Sequence, residues 1–420
     1  MSRSLWVLVW VSVMLVAGVG ADAPTTQPDP RISVLIEQLG DARWSERRAA
    51  EAALLEIGEA ARPALEAATA HDDAEVRARA INILATLDDR QLVAPTRVTL
   101  KLDAVPAVDA VEALGDALGH QFQIWPPHWE QHVGDSTVTV DLQNVTGLEA
   151  MRAVLPQCKL AISPHAQGEL SIHGQAAWPD VPAFDNGQTR FEVRTLSFNH
   201  VRRVDMTTRN VDERASGQMS VWLFAEPKFR MGGPGEMTVD EIIDENGEPI
   251  GMNVGGRSSY DHTSLMRQFT LRLDLPVEDR PKTIARMTGH VTVMHIMQTE
   301  LFTVDQPLEQ GGRKIVGNLT LTTEPMVRQS NTLSVEIRVD FPPGRSVERD
   351  FLRGLNLVDT EGQRFNRGGY STRSDQTSLT ATVRFSANAA DQTPARLEWE
   401  LPTKQEPREI PFEFTDLPLP

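Results

Sequence analysis

Val98-Thr-Leu-Lys-Leu-Asp-Ala-Val-Pro-Ala-Val-Asp-Ala-Val-Glu-Ala-Leu114 is answered, after a loop, by Val138-Thr-Val-Asp-Leu-Gln-Asn-Val-Thr-Gly-Leu-Glu-Ala-Met-Arg-Ala-Val154. The second stretch begins 40 residues after the first, and Val98/Val138, Thr99/Thr139, Leu102/Leu142, Val105/Val145, Ala110/Ala150 and Ala113/Ala153 coincide without a gap. In each copy an alternation of period two gives way to a period near 3.6, which predicts a strand followed by a helix. Each half then returns to a strand, at Gln121-Phe-Gln-Ile124 and Lys159-Leu-Ala-Ile162, and Leu170-Ser-Ile172 supplies a last short one.

This doubled order of strand, turn, helix and strand resembles the short N-terminal domain of secretins and TonB receptors (STN, secretin N-domain-like) over residues 96–174. The resemblance implies a βαβ-βαβ fold and a periplasmic interaction module without catalytic residues. Those families continue into an outer-membrane barrel. After Gly174 this chain lacks the alternating strands with aromatic girdles that a barrel needs, so the module is kept without the pore.

Upstream, Arg3 precedes an apolar run from Leu5 to Val19, and Val19-Gly20-Ala21 places small residues at −3 and −1. This reads as a secretory signal peptide, 1–21, cut near Ala21. No other stretch is apolar enough to cross a bilayer as a helix, so no transmembrane span is expected in the mature chain. Residues 22–30 form a Pro/Thr-rich linker. From 31 to 92 the spacing is helical, with Gly58 ending one helix, Pro63 starting another, and Asp72 or Asp73 placed to cap a third. Arg47/Arg77, Ala50/Ala80 and Leu54/Leu84 recur at a spacing of 30 residues, which resembles a HEAT-type helical repeat. Arginines so placed tie one helix to the next.

Residues 175–188, with Trp178-Pro, Val181-Pro and Asn186-Gly, read as a second linker. Beyond it, short alternating segments punctuated by Gly, Pro and Asn-Gly predict an all-β region. A fainter duplication pairs Ala225-Glu-Pro227 with Thr323-Glu-Pro325, Ile242-Ile-Asp-Glu-Asn-Gly247 with Leu357-Val-Asp-Thr-Glu-Gly362, Phe269–Leu273 with Leu379–Val383, and Met287–Val293 with Ala395–Leu401. Two Ig-like β-sandwiches, 189–308 and 309–420, fit that spacing. Ile410-Pro-Phe-Glu-Phe-Thr-Asp-Leu-Pro418 reads as a final edge strand, where proline is tolerated. The fold expected is therefore multidomain α+β: HEAT-like helices, a secretin-N-like module and two sandwiches.

The net charge of −17 argues against nucleic acid and against anionic lipid heads, both of which need clustered Lys and Arg. Cys158 is the only cysteine, so no internal disulfide is available, and its apolar neighbours suggest a buried small hydrophobe. Trp125-Pro-Pro-His-Trp-Glu-Gln-His132 lies between the repeated halves. Its residues Trp125, His128, Trp129 and His132 make a possible contact loop, because aromatic residues favour interfaces. The His128/His132 spacing suits a metal on a helix, but the two prolines oppose one and no third ligand is evident. Asp240, Glu241, Asp244, Glu245 and Glu248 offer oxygen to a hard cation, yet Asp244–Gly247 and Asp359–Gly362 are what hairpin turns ask for. Arg257-Ser-Ser-Tyr-Asp-His262 holds Ser, Asp and His, but adjacency is not a triad and no nucleophile elbow is present. Trp222, Phe224 and Phe229 are expected in a core.

No catalytic residue, cofactor or metal is therefore assigned. The expectation is a non-catalytic, exported protein of the periplasm or cell envelope that makes protein contacts as an interaction or scaffold module. A carbohydrate or polymer binder using the sandwiches, and a hydrolase with a dispersed site, are the alternatives.

Overall fold

The structure, a computed structural model, describes residues 30–126, 128–162, 170–172, 180–253, 265–276, 279–343, 352, 354–387 and 392–420. The expected signal peptide and the linker through residue 29 lie outside them. The chain divides into two compact units, Met1–Gln91 and Leu92–Pro420. Helices occupy the early chain and strands the rest, in several sheets, an α+β arrangement.

The first unit holds α1 (Pro30–Gln38), α2 (Trp44–Ile57), a 3-10 turn (Gly58–Ala61), α3 (Arg62–Ala68) and most of α4 (Ala74–Val93). Gly58 closes α2 at φ 69°, a value only glycine adopts cheaply. Pro63 sits in the first turn of α3, where its missing N–H has no intrahelical partner to lose. The Asp73 carboxylate accepts the Glu75 N–H at 2.7 Å, so Asp73, not Asp72, caps α4. The 30-residue repetition is physical. Arg47 donates to the carbonyls of Asp41 and Ala42 (2.7 and 3.1 Å), and Arg77 donates to those of His71 and Asp72 (2.5 and 2.8 Å). Each arginine thus latches the loop that leads into its own helix. Ala50, Leu54, Ala80 and Ile83 are buried between the helices.

The second unit opens with β1 (Arg97–Pro106), α5 (Ala107–Leu118), β2 (Ile124–Trp125), α6 (Glu130–Val133), β3 (Thr137–Thr146), α7 (Gly147–Val154), β4 (Leu160–Ile162) and β5 (Leu170–Ile172). The twin strands β1 and β3 pair with each other, antiparallel, from Arg97↔Thr146 to Pro106↔Thr137. Equivalent residues make equivalent bonds. The Ala104 N–H donates to Thr139 Oγ1 at 3.0 Å, and the Asn144 N–H to Thr99 Oγ1 at 3.1 Å. Ala107 N–H donates to the Ser136 carbonyl, and Gly147 N–H to that of Thr96. Ala104 and Asn144 share a left-handed φ of 51° and 53° at the bulge. β2, β5 and β4 form a separate small sheet. One apolar core takes in Val98 and Val138 from the paired strands, Leu114 and Met151 from the helices, and Leu160 and Leu170 from the small sheet.

The remaining strands are β6 (Ala183–Asn186), β7 (Thr189–Val204), β8 (Val211–Ala225), β9 (Met231–Asp244), β10 (Gly251–Asn253), β11 (Met266–Asp274), β12 (Thr283–Asp305), β13 (Gly312–Val316), β14 (Leu319–Thr323), β15 (Val327–Gln329), β16 (Thr332–Asp340), β17 (Leu355–Asp359), β18 (Asn366–Ser374), β19 (Ser378–Ser386) and β20 (Pro394–Pro418). They build three sheets: β10-β11-β8-β7-β6, β18-β19-β16-β14-β13 with β15 beside β16, and β17-β20-β12-β9. The first two have the same order of strands, and in the third β9 flanks β12 as β17 flanks β20. The duplication is therefore one of topology. The turns confirm it at atomic level. Asp244 Oδ1 accepts the N–H groups of Asn246 and Glu248 at 2.8 Å each. Asp359 Oδ1 accepts those of Glu361 and Gln363 at 2.9 and 2.8 Å. Gly247 and Gly362 hold φ 83° and 79°. Ala225–Pro227 and Thr323–Pro325 are not equivalent, because they end β8 and β14, which occupy different places in the order.

Two boundaries differ from expectation. The division at 308/309 does not separate the cores, because β12 and β20, 23 and 25 residues long, run through both layers. Ile410, Phe412, Phe414 and Leu417 close the first core with Phe191, Val221 and Phe269. Leu397, Trp399 and Leu401 of the same strand belong to the second, with Phe302, Val335 and Phe385. Register shifts at Ile296, Gln298 and Thr299 mark the passage from one to the other. The other change is in the expected linker 175–188. Ala183–Asn186 is strand β6, and Gly187-Gln188, with Gly187 at φ 60°, is a two-residue hairpin turn into β7. The final residues do form an edge, since β17 pairs β20 only up to Trp399.

Strand β8 explains the fate of its aromatics. Val221 and Leu223 face the first β core. Trp222 and Phe224 face the other way and join the core of the α+β module, with Met266. A strand covered on both faces reads as continuously apolar. Phe229 also lies in the first core, stacked on His295 with ring centroids 4.3 Å apart.

Candidate functional site

The expected contact loop is partly covered. Trp125 ends β2 half-buried, and Trp129 is half-buried against the module core. His128, at φ 59°, and His132 are exposed. The contact between them runs from His132 Nδ1 to the His128 backbone carbonyl, 3.4 Å, and not from ring to ring. Among the described residues no three His, Cys, Asp or Glu side chains gather as a metal would require. Burial pushes the Cys158 thiol up to about 11, and its Sγ lies 3.7 Å from the Ala107 carbonyl, so it is an inert core group. Arg257–His262 lies outside the described residues.

The acidic run 240–248 is divided among separate partners. Asp240 meets His290 at 3.3 Å, and Glu241 meets Arg286 at 3.3 Å. Asp244 organises the turn, and its N–H donors, first that of Glu248, hold its carboxyl below the usual range. Glu245 accepts the N–H groups of Lys282 and Thr283 at 3.0 and 3.1 Å.

Elsewhere, converging ionisable groups hold layers together. Glu226 is fully buried at the seam between the α+β module and the first β layer. Both its oxygens accept the Thr96 N–H, at 3.1 and 3.0 Å, and burial raises its pKa. Beside it, Gln188 Nε2 donates to the carbonyls of Leu92 and Ala94 at 2.7 and 2.9 Å. Where β12 and β20 pass between layers, Arg230 grips Glu400 through two bonds of 2.6 and 2.9 Å, and Thr299 Oγ1 donates to the same carboxylate at 2.8 Å. Bidentate pairs of this kind fix relative position.

The exposed feature of the fold is the far end of the β7–β8 hairpin. The two strands pair from Thr189↔Ala225 to Val204↔Val211. β6 accompanies β7 only as far as Glu192, and β11 accompanies β8 only as far as Gly217. From Asn199 and Ser216 outward the pair has no third strand among the described residues and is exposed along both strands apart from the half-buried Ala215. An isolated two-stranded ribbon is marginal in water. This one nevertheless displays Val201 (62% exposed), Val204 (47%), Met206 (87%) and Val211 (50%). Its tip is well organised: Asp205 Oδ1 accepts the N–H groups of Thr207 and Thr208 at 2.8 and 2.9 Å, and those donors, Thr208 first, lower its pKa. Its charges are matched across the strands, Arg202 opposite Glu213 and Arg203 opposite Asp212. His200 Nε2 lies 2.7 Å from Glu213, and Arg214 3.0 Å from Asp212. Sequence reasoning passed over this arm. Its signal is Val and Arg interleaved on both faces of an alternating stretch that has no buried side.

No family model matches the chain, and no curated protein matches it. It is similar to a solved structure described as the conserved domain protein from Bacillus anthracis, at 8% identity and a TM-score of 0.18, over 56% of this chain and 89% of that one. A similarity of that size carries no argument about fold or function.

Proposed function

We propose that this is a non-catalytic exported protein of the bacterial envelope that works by protein contact, with the β7–β8 arm as its contact element. The single observation that carries the reading is the arm: a ribbon with no third strand among the described residues, bearing four exposed large apolar side chains. Solvated ribbons of that make-up are stabilised when a partner covers them. The secretin-N-like resemblance of 96–174 supports the same class, as does the HEAT-like resemblance of the helical unit. The paired β layers, read as Ig-like sandwiches, then serve as the rigid mount that projects the arm. The ion pairs at Glu400 and the buried Glu226 suit that mount, because both lock neighbouring layers. Affinity capture from an envelope fraction tests the reading, comparing the full chain with one whose residues 202–213 are replaced by Asn-Gly. A partner retained by the native chain and lost with the short arm supports it. Equal capture by both chains, or export of neither to the envelope, refutes it.

A further inference from the structure

We propose that the outward face of the sheet β18-β19-β16-β14-β13 is a binding site for a linear acidic polysaccharide, separate from the arm and independent of it. This sheet turns Leu321, Ile337, Val339, Leu379 and Ala381 to the second core. The residues between them in sequence face the other way. Register lines up five side chains of that outward face across the sheet: Arg313↔Thr322, Thr322↔Arg338, Arg338↔Thr380 and Thr380↔Arg373. Arginine therefore stands on every second strand, with threonine on the strands between. Neighbouring strands lie about 4.8 Å apart, so the arginines recur about every 10 Å.

Arg313 and Arg373 are exposed and have no ion-pair partner among the described residues, and the same holds for Arg384 on this face. Arg338 meets Asp340 at 2.8 Å, an exposed pair that engages its Nε–H alone among five N–H donors. The face sets Arg313, Arg338, Arg373 and Arg384 against Glu336 and Asp340, in a chain whose acids outnumber its Lys and Arg by 58 to 41. Guanidinium forks take carboxylates through paired hydrogen bonds. Carboxylates on alternate rings of an extended sugar chain recur at a comparable distance. The Thr322 and Thr380 hydroxyls, half-buried between the arginines, are placed for sugar hydroxyls. Other anions fit less well. Bases of a single strand are held on aromatic side chains, and the aromatic residue of this sheet edge, Tyr370, lies opposite Val383 on the core side. A bilayer takes a contiguous apolar face, and the large apolar side chains here, Ile315 and Val327, stand at separate margins. The charge of −17 is no bar at physiological salt, where screening over about 8 Å quenches distant repulsion and leaves contacts within the face in force.

Isothermal titration of the purified full chain with sodium polygalacturonate, at about 0.15 M salt, tests this. Dextran is the neutral control and a thymidine oligonucleotide the phosphate control. Binding to polygalacturonate, with none to dextran or the oligonucleotide, is expected. Arg313→Gln with Arg373→Gln, at exposed positions, should weaken it by about tenfold and flatten its salt dependence, with the melting temperature unmoved. Thr322→Val with Thr380→Val, which keeps side-chain shape, should weaken it several-fold and leave the salt dependence as it was. The chain whose residues 202–213 are replaced by Asn-Gly should bind as the native chain does, so this assignment and the contact reading fail separately. Absence of binding to polygalacturonate overturns the site. Binding that the two arginine substitutions leave unchanged overturns it too, as does an oligonucleotide bound equally well.

Discussion

Gly147→Ala tests whether Glu226 locks the α+β module to the first β layer. Gly147 is the first residue of α7, where alanine ordinarily stabilises by up to about 1 kcal/mol. Here its Cβ would lie 2.7 Å from Glu226 Oε2 and 2.9 Å from Leu118 Cδ2. Leu118 can turn its terminal methyl away. The Glu226 carboxylate cannot, being fully buried and held by the Thr96 N–H. Overpacking of this kind costs about 1–3 kcal/mol. Glu226→Ala alone leaves the Thr96 N–H without its acceptor, at a cost of about 1–3 kcal/mol. In the Glu226→Ala background the obstructing oxygen is gone, and Gly147→Ala should become nearly neutral. The two substitutions are thus non-additive by about 1–2 kcal/mol, the size expected of residues in direct contact. Urea titration followed by tryptophan fluorescence reads the cycle, with Trp222 on the same seam as a reporter. Additivity within about 0.5 kcal/mol would show that the two positions do not meet, and the lock would be refuted.

Glu226 should also leave a pH signature. Its folded pKa is raised by burial, so its contribution is fully present below the ordinary carboxyl value and is lost as pH rises through the folded one. Relative to Glu226→Gln, the native chain should therefore lose denaturant resistance as pH rises from acid toward neutral; parallel curves would contradict this. Asp244→Ala and Asp359→Ala should lower the melting temperature equally and additively near neutral pH, since each removes an acceptor for two turn N–H groups, at the ends of β9 and β17, opposite edges of one sheet that serve separate cores. For Asp244 the folded pKa is depressed, so the effect of its substitution should fade as pH falls through that value. Trp399→Ala, at a side chain 1% exposed against Phe302, should cost about 3–5 kcal/mol. A cost below about 1 kcal/mol would mean that the second core does not depend on it.

What could be read in the sequence was what repeats. The copies at 98 and 138 were legible because one buried face imposes an alternation that survives duplication, and they pair as twins. The turns at Asp244 and Asp359 were legible because an Asx acceptor and a glycine at positive φ are local requirements. The sharing of β12 and β20 between two cores was not, since a strand passing through a bulge at Ile296–Thr299 carries no mark of which core each half serves. Asn186-Gly187 misled for a related reason: the same dipeptide punctuates linkers and turns hairpins, and only the pairing of Ala183–Asn186 with β7 decides between them. The arm was missed because sequence reading looks for a polar face and an apolar face, and a two-sided ribbon has neither.

The central claim is that the chain acts through contact at 199–216. Amide hydrogen exchange in the associated protein, compared with the dilute chain, examines it most directly. Slowed exchange confined to those strands is the predicted result. Association that protects other surfaces and leaves the ribbon exchanging as before would contradict it.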